Sequence, residues 1–275
     1  MATGAWTFAH EGALPDRLTG APRAAFLDRW IYVLTVSLFI LLVLLGFIPD
    51  SLTKIAAVNA GERPPFPLIM HVHAVLMGSF LVLLWTQTFL MATGRGALHR
   101  QLGIASFIVA PAMVVAGFLL AHTMYLYGWH AMLAAPASMH DEMVQRMQGR
   151  DNIVLVQLRI GILFSAFLLI GLRARRVDFG LHKRMMILAT AMALPAGIDR
   201  IAWLPTTFPN SFLASDLYTL LAVAPMFAWD VYRNRRVHRA YWIWIMINLP
   251  FALVLHGLWG TQWWHAMAPR LMQVA

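Results

Sequence analysis

Seven long apolar runs constrain this chain more than any other feature of its sequence. They lie near residues 30–49, 66–92, 101–127, 152–172, 182–204, 212–232 and 241–264. A run of about 20 apolar residues is long enough to cross the hydrocarbon layer of a membrane. In lipid the backbone must satisfy its own hydrogen bonds, so such runs fold as helices. The sequence therefore predicts an all-α fold: a polytopic membrane helical bundle with seven transmembrane helices. Composition agrees. Of the 275 residues 60% are hydrophobic and 12% are charged, whereas a soluble domain carries about 25% charged residues. The expected organisation is an N-terminal cytoplasmic segment (1–29), a transmembrane domain (30–268) and a short tail (269–275).

The formal net charge is +9. The basic residues stand in short connections between the runs, so they read as topology determinants and point to no nucleic-acid partner. With the N-terminus inside, 14 Lys and Arg fall in inside segments and 5 in outside segments, with Arg159 and Arg200 within spans. This bias predicts an N-in, C-out arrangement. Residues 1–29 are mixed and polar, which predicts no cleavable signal peptide. The chain has no cysteine, so Fe–S clusters and haem linked through Cys are excluded. Pro111, Pro195, Pro225 and Pro250 fall within spans, where kinks are expected. In the segment 129–151, Ser138 with Asp141 and the spacing of Met139, Met143 and Met147 predict a short amphipathic helix at the outer interface.

Polar residues within the runs mark the candidate site, because ionisable groups at membrane depth are costly unless paired. His71 and His73 lie about 8–10 Å below the outer end of the second span. His122, Arg159, Asp199, Arg200, Asp216 and His256 fall in the same outer layer. Arg159 cannot neutralise itself, and Asp199 is the expected partner. Two residues apart on a helix point to nearly opposite sides, so only one of His71 and His73 is expected to face the bundle. The inner half is expected to be nearly free of charge away from its loops. There, His99 and His182 begin two spans.

Three stretches carry a resemblance. Trp85-Thr86-Gln87 is followed by Leu98-His99-Arg100-Gln101-Leu102-Gly103, and later by His182-Lys183-Arg184-Met185-Met186 with Arg200. The set resembles a family of uncharacterised bacterial multi-span membrane proteins with an LHRxLG turn. That likeness implies a multi-pass protein of the bacterial inner membrane, and carries no activity with it. The turns Gly96–Arg100 and Phe179–Lys183 are similar to each other, which suggests duplicated hairpins at 66–127 and 152–204. There is a looser similarity to transmembrane di-haem cytochromes b. It implies an outer pair from His71 or His73 with His122 or His256, and an inner pair of His99 with His182.

Three functions stay open at this stage. One is a redox protein binding haem b, a quinone or both, with His71, His73, His122 or His256 as ligand and Arg159 or Arg200 on a propionate or quinone oxygen. Another is a zinc-dependent membrane lipid hydrolase, since seven spans with several His and an Asp resemble the alkaline ceramidase and adiponectin-receptor superfamily. Zinc would take His71 or His73, His122 and His256, with Asp199 as base. The last is a non-catalytic subunit of a larger membrane complex, touching lipid and a protein partner. In the enzyme readings Asp199 and Arg159 are the candidate catalytic residues, and Arg200 a further ligand contact.

Overall fold

The computed structural model describes residues 16–19 and 24–274. The chain is helical throughout, with no strand among the described residues. Its helices are α1 (Phe26–Asn59), α2 (Leu68–Ala92), α3 (Gly96–Leu102), α4 (Ser106–Leu133), α5 (His140–Ala174), α6 (Phe179–Ala191), α7 (Pro195–Ile198), α8 (Leu213–Asn234), α9 (Arg239–Leu258) and α10 (Gln262–Leu271). Five stretches are long and apolar enough to cross a membrane: Phe26–Asn59, Leu68–Ala92, Gly96–Leu133, Ala137–Ala174 and Arg239–Leu258. Large apolar side chains face outwards on them, among them Leu41, Ile48, Val75, Val82, Ile108, Leu119 and Leu253. A belt of that size would be a liability in water. It is what a hydrocarbon surround requires.

Expected and observed boundaries differ in three places. The run 182–204 is not one helix: α6 ends at Ala191 and α7 begins at Pro195. Pro195 lacks an N–H and its ring obstructs the preceding turn, so it starts a helix better than it continues one. Pro111, Pro225 and Pro250 stand inside unbroken helices. The predicted interfacial helix is instead the first third of α5, which runs without interruption for 35 residues. Ser138 does not cap it; Met139 occupies the N-cap and makes no side-chain cap bond. Finally, the last run stops at Leu258. Gly260, at φ +72°, turns the chain into α10 and donates its N–H to Asn152 Oδ1 at 3.0 Å.

At the centre lies α6, with Met185, Leu188, Ala189 and Ala191 completely buried. It packs against α5, α9, α8 and α1. Close approach of α1 to α7 depends on glycine. A Cβ on Gly46 would run into the backbone carbonyl of Gly197.

The connections gather at two ends. At one, Asp28 of α1 is 3% exposed and receives Arg233 through Nε (2.7 Å) and Nη2 (2.6 Å), with Trp229 Nε1 at 3.0 Å. Arg29 donates to the carbonyl of Ala92, and Arg239 pairs with Asp178. This is the basic end. At the opposite end, Asp151 accepts from Tyr125 Oη at 2.7 Å and lies 3.0 Å from His265 Nδ1. Trp259 Nε1 donates to the carbonyl of Pro209 at 2.9 Å.

Candidate functional site

Towards the opposite end, α5 and α8 each direct one polar group, and α9 two, inward from otherwise apolar stretches. Arg159 of α5 is 6% exposed. Its Nη1 donates to Asp216 Oδ1 at 2.8 Å and Oδ2 at 3.0 Å, from the first turn of α8. Its Nε and Nη2 reach Asn248 Oδ1 of α9 at 3.3 and 3.0 Å. His256, two turns further along α9, donates through Nε2 to Asp216 Oδ2 at 2.9 Å. The carboxylate thus joins a fixed cation to an imidazole. The geometry follows from helix periodicity: Asn248 and His256 are eight residues apart, so they share one face of α9.

Arg159, Asp216 and Asn248 border a cavity of about 280 Å³, and His256 stands behind Asp216, outside its lining. Arg159, Asp216, Asn248 and Thr219 form its polar wall. Val156, Ile160, Met192, Phe212, Trp244 and Leu249 are among the apolar lining. A small set of convergent polar groups in an apolar cleft is the usual form of a small-molecule site. A guanidinium has five N–H donors, and these four contacts leave one N–H group of Arg159 for a guest.

Arg159 and His256 are brought together as the sequence led us to expect, but the carboxylate is Asp216 and not Asp199. Asp199 follows α7 and accepts the hydroxyl of Ser215 instead. Arg200 also leaves the site; it lies 3.3 Å from Asp50 and over the ring of Phe47. His71 is exposed and packs edge-on to Phe66. His73 lies between α2 and α4 against Gly117, with its buried Nδ1 unpartnered among the described residues. His122 is half-buried on α4. Among the described residues no three His, Cys, Asp or Glu side chains come together as metal ligands. His71, His73, His122 and His256 therefore form no zinc-type cluster. Asn248 was missed because a single amide in an apolar run carries little signal. It was nevertheless the only amide in its span before Gln262.

The basic end is far from free of charge. Arg184 of α6 is completely buried. Its Nε donates to Asp230 Oδ2 at 2.5 Å and its Nη2 to Oδ1 at 2.7 Å. Tyr241 Oη and Asn234 Nδ2 complete the Asp230 carboxylate at 2.9 and 2.7 Å. Asp16 closes the other side of Arg184, with Oδ2 at 2.7 Å from Nη1. Burial alone would raise the Asp16 carboxyl, but the hydrogen bond from Arg184 and the charge of Lys183 outweigh it and hold it well below the usual carboxylate range. Asp230 looked like a loop-flanking residue in the sequence. Its partner lies 46 residues away, which local patterning does not reveal.

His99 and His182 also meet at this end. Their ring centroids are 6.4 Å apart and their planes cross at 73°. His182 Nδ1 lies 2.8 Å from the carbonyl of Gly171, an N–H donor's distance. His99 Nδ1 faces the side-chain amide of Gln87, which also reaches the N–H of Gly103. The two similar turns of the sequence thus converge in space. Comparison with family models, curated proteins and solved structures finds no match for this chain.

Proposed function

We propose that the protein is a seven-pass, N-in and C-out redox protein of the bacterial inner membrane, whose outer-side cavity takes a quinone. The loops that gather at the basic end are those carrying most of the Lys and Arg, which supports this orientation. In this reading α6 with α7, and α8, supply the other two passes: α6 is short because the chain breaks before Pro195, and α8 carries Asp216 and Asp230.

One observation carries the functional reading. A carboxylate pinned by a buried guanidinium borders an apolar cavity, and an imidazole outside the lining is hydrogen-bonded to that same carboxylate. Quinone chemistry couples electron and proton transfer, and each part has a use there. The spare N–H group of Arg159 would hold a ring oxygen. His256, which meets the cavity only through Asp216, would give or take the accompanying proton by way of that carboxylate. The apolar lining suits the ring and the start of an isoprenoid tail.

A haem b is better supported at the inner pair that the di-haem likeness implied than at the outer one. A metal–imidazole bond is about 2.0–2.1 Å, so two rings on one iron have centroids about 6 Å apart. His99 and His182 stand at 6.4 Å. The Gly171 carbonyl would orient His182 and leave its Nε2 free, as outer-shell partners of ligating histidines do. When bound, the haem would supply one-electron transfer.

An absorption spectrum of the detergent-purified protein, with quinone extraction, tests the reading. A Soret band lost in His99→Ala and His182→Ala, and quinone content lost in His256→Ala, are the expected results. Colourless, quinone-free protein would leave the polar layer as an assembly site and refute the redox reading.

A further inference from the structure

The segment 16–18 is seated in the basic end as a ligand would be. Asp16 Oδ2 lies 2.7 Å from Arg184 Nη1 and 2.8 Å from Lys183 Nζ. Its Oδ1 accepts from Arg184 Nη2 at 3.2 Å, Asn234 Nδ2 at 3.3 Å and the N–H of Leu18 at 3.1 Å. Arg17 N donates to Asn234 Oδ1 at 2.9 Å, and Lys183 also reaches the carbonyl of Leu18. Leu18 itself is 1% exposed.

Four of the five contacts on that carboxylate come from outside the segment, and they belong to α6 and α8. Arg184 is held rigidly by Asp230, so its Nη1 and Nη2 keep their direction whether or not Asp16 is there. A planar fork of this kind matches a carboxylate in two-point contact. Without Asp16, the balance of Arg184 and Lys183 against Asp230 leaves one positive charge. Beside the seat, Tyr32 has a buried hydroxyl with no partner among the described residues, and Lys183 Nζ lies 5.5 Å from its ring centroid. A buried hydroxyl left unpaired is costly, and a guest with a further oxygen would give it one.

We infer that Arg184, Lys183 and Asn234 form a binding seat for small carboxylates at the basic end, and that the chain's own Asp16 fills this seat as a tethered competitor. Free carboxylate and segment 16–18 are then alternatives. Tethering gives Asp16 a high effective concentration, so the wild-type seat answers weakly to free anion and a variant lacking Asp16 answers strongly.

The test uses the full chain in detergent. Its lack of cysteine allows a spin label at Arg17→Cys, an exposed position. The probe is acetate, with chloride at matched ionic strength as control. Asp16→Ala should show a mobile label and a saturable rise of the thermal midpoint with acetate. Its acetate dissociation constant should be at least tenfold tighter than that of the wild type. The label should remain mobile at saturation, because acetate replaces the segment. Lys183→Met in the Asp16→Ala background should weaken the response. Asp16→Asn serves where Asp16→Ala does not fold. A response no different from that to chloride would overturn the inference. So would a label re-immobilised by acetate, since the carboxylate would then be only a structural counter-ion.

Discussion

Asp216 holds two partners at once, so its removal is the most informative perturbation of the Arg159 site. Asp216→Asn keeps the shape and deletes the charge. Arg159 would be left with only the oxygen of Asn248, at 7% side-chain exposure and facing an apolar cavity. Removing one member of a buried pair costs about 3–5 kcal/mol, because the other charge stays uncompensated. Asp216 retains 17% exposure, so some water reaches it and the lower figure, about 3 kcal/mol, is the appropriate one. For a chain of this size that corresponds to a thermal midpoint lower by roughly 6–12 °C. Replacing both partners, as Arg159→Met with Asp216→Leu, removes the charges together and should recover most of the loss. The assay is a double-mutant cycle on thermal unfolding in detergent. Asp199→Asn is the control and should shift the midpoint by less than a third as much, since Asp199 accepts from Ser215 and not from Arg159. If Asp216→Asn is as stable as the wild type, or if the double substitution is worse than either single one, the pairing argument is wrong.

Three further outcomes are expected. Gly46→Val should destabilise by several kcal/mol through overpacking, because its side chain would meet the backbone of Gly197; a thermal midpoint within 2 °C of wild type would refute the close approach. A reporter fused after Ala275 should behave as periplasmic and one inserted within 233–240 as cytoplasmic, and the reverse at either position would overturn the orientation. His238 caps α9 and is pushed down to about 4 by burial, with the charge of Arg184 adding to it. The unfolded chain therefore binds this proton at higher pH than the native one, so stability should fall as pH drops from about 6.5 to 4; His238→Asn should flatten that window in a pH series of denaturation midpoints.

Helix content was legible in the sequence because apolar length alone specifies it in lipid. The places where it failed share a cause. Pro195 broke its helix while Pro111, Pro225 and Pro250 did not, and only packing separates these cases. Met139 to Asp151 continued into α5 because nothing in the sequence stops a helix there. At the site, Arg159 and His256 could be singled out from their depth. Asp216 could not be chosen over Asp199, since that depends on the path of the chain after Pro195. The Arg184–Asp230 pair was hidden for another reason. Both residues lie near basic loops, where charge is unremarkable, and their burial is a property of the assembled bundle.

The pair has a consequence for how the protein is made. On the seven-pass reading, an isolated helix carrying Lys183 and Arg184, or Asp216 and Asp230, partitions poorly from the translocon into lipid, because each unpaired charge opposes insertion. Helix α6 is followed by a break at Pro195 and α8 by basic residues, so neither gains from length. Each carries the group that neutralises the other. Biogenesis should therefore hold α6 beside the earlier helices until α8 emerges, and release the two into the bilayer as a matched couple.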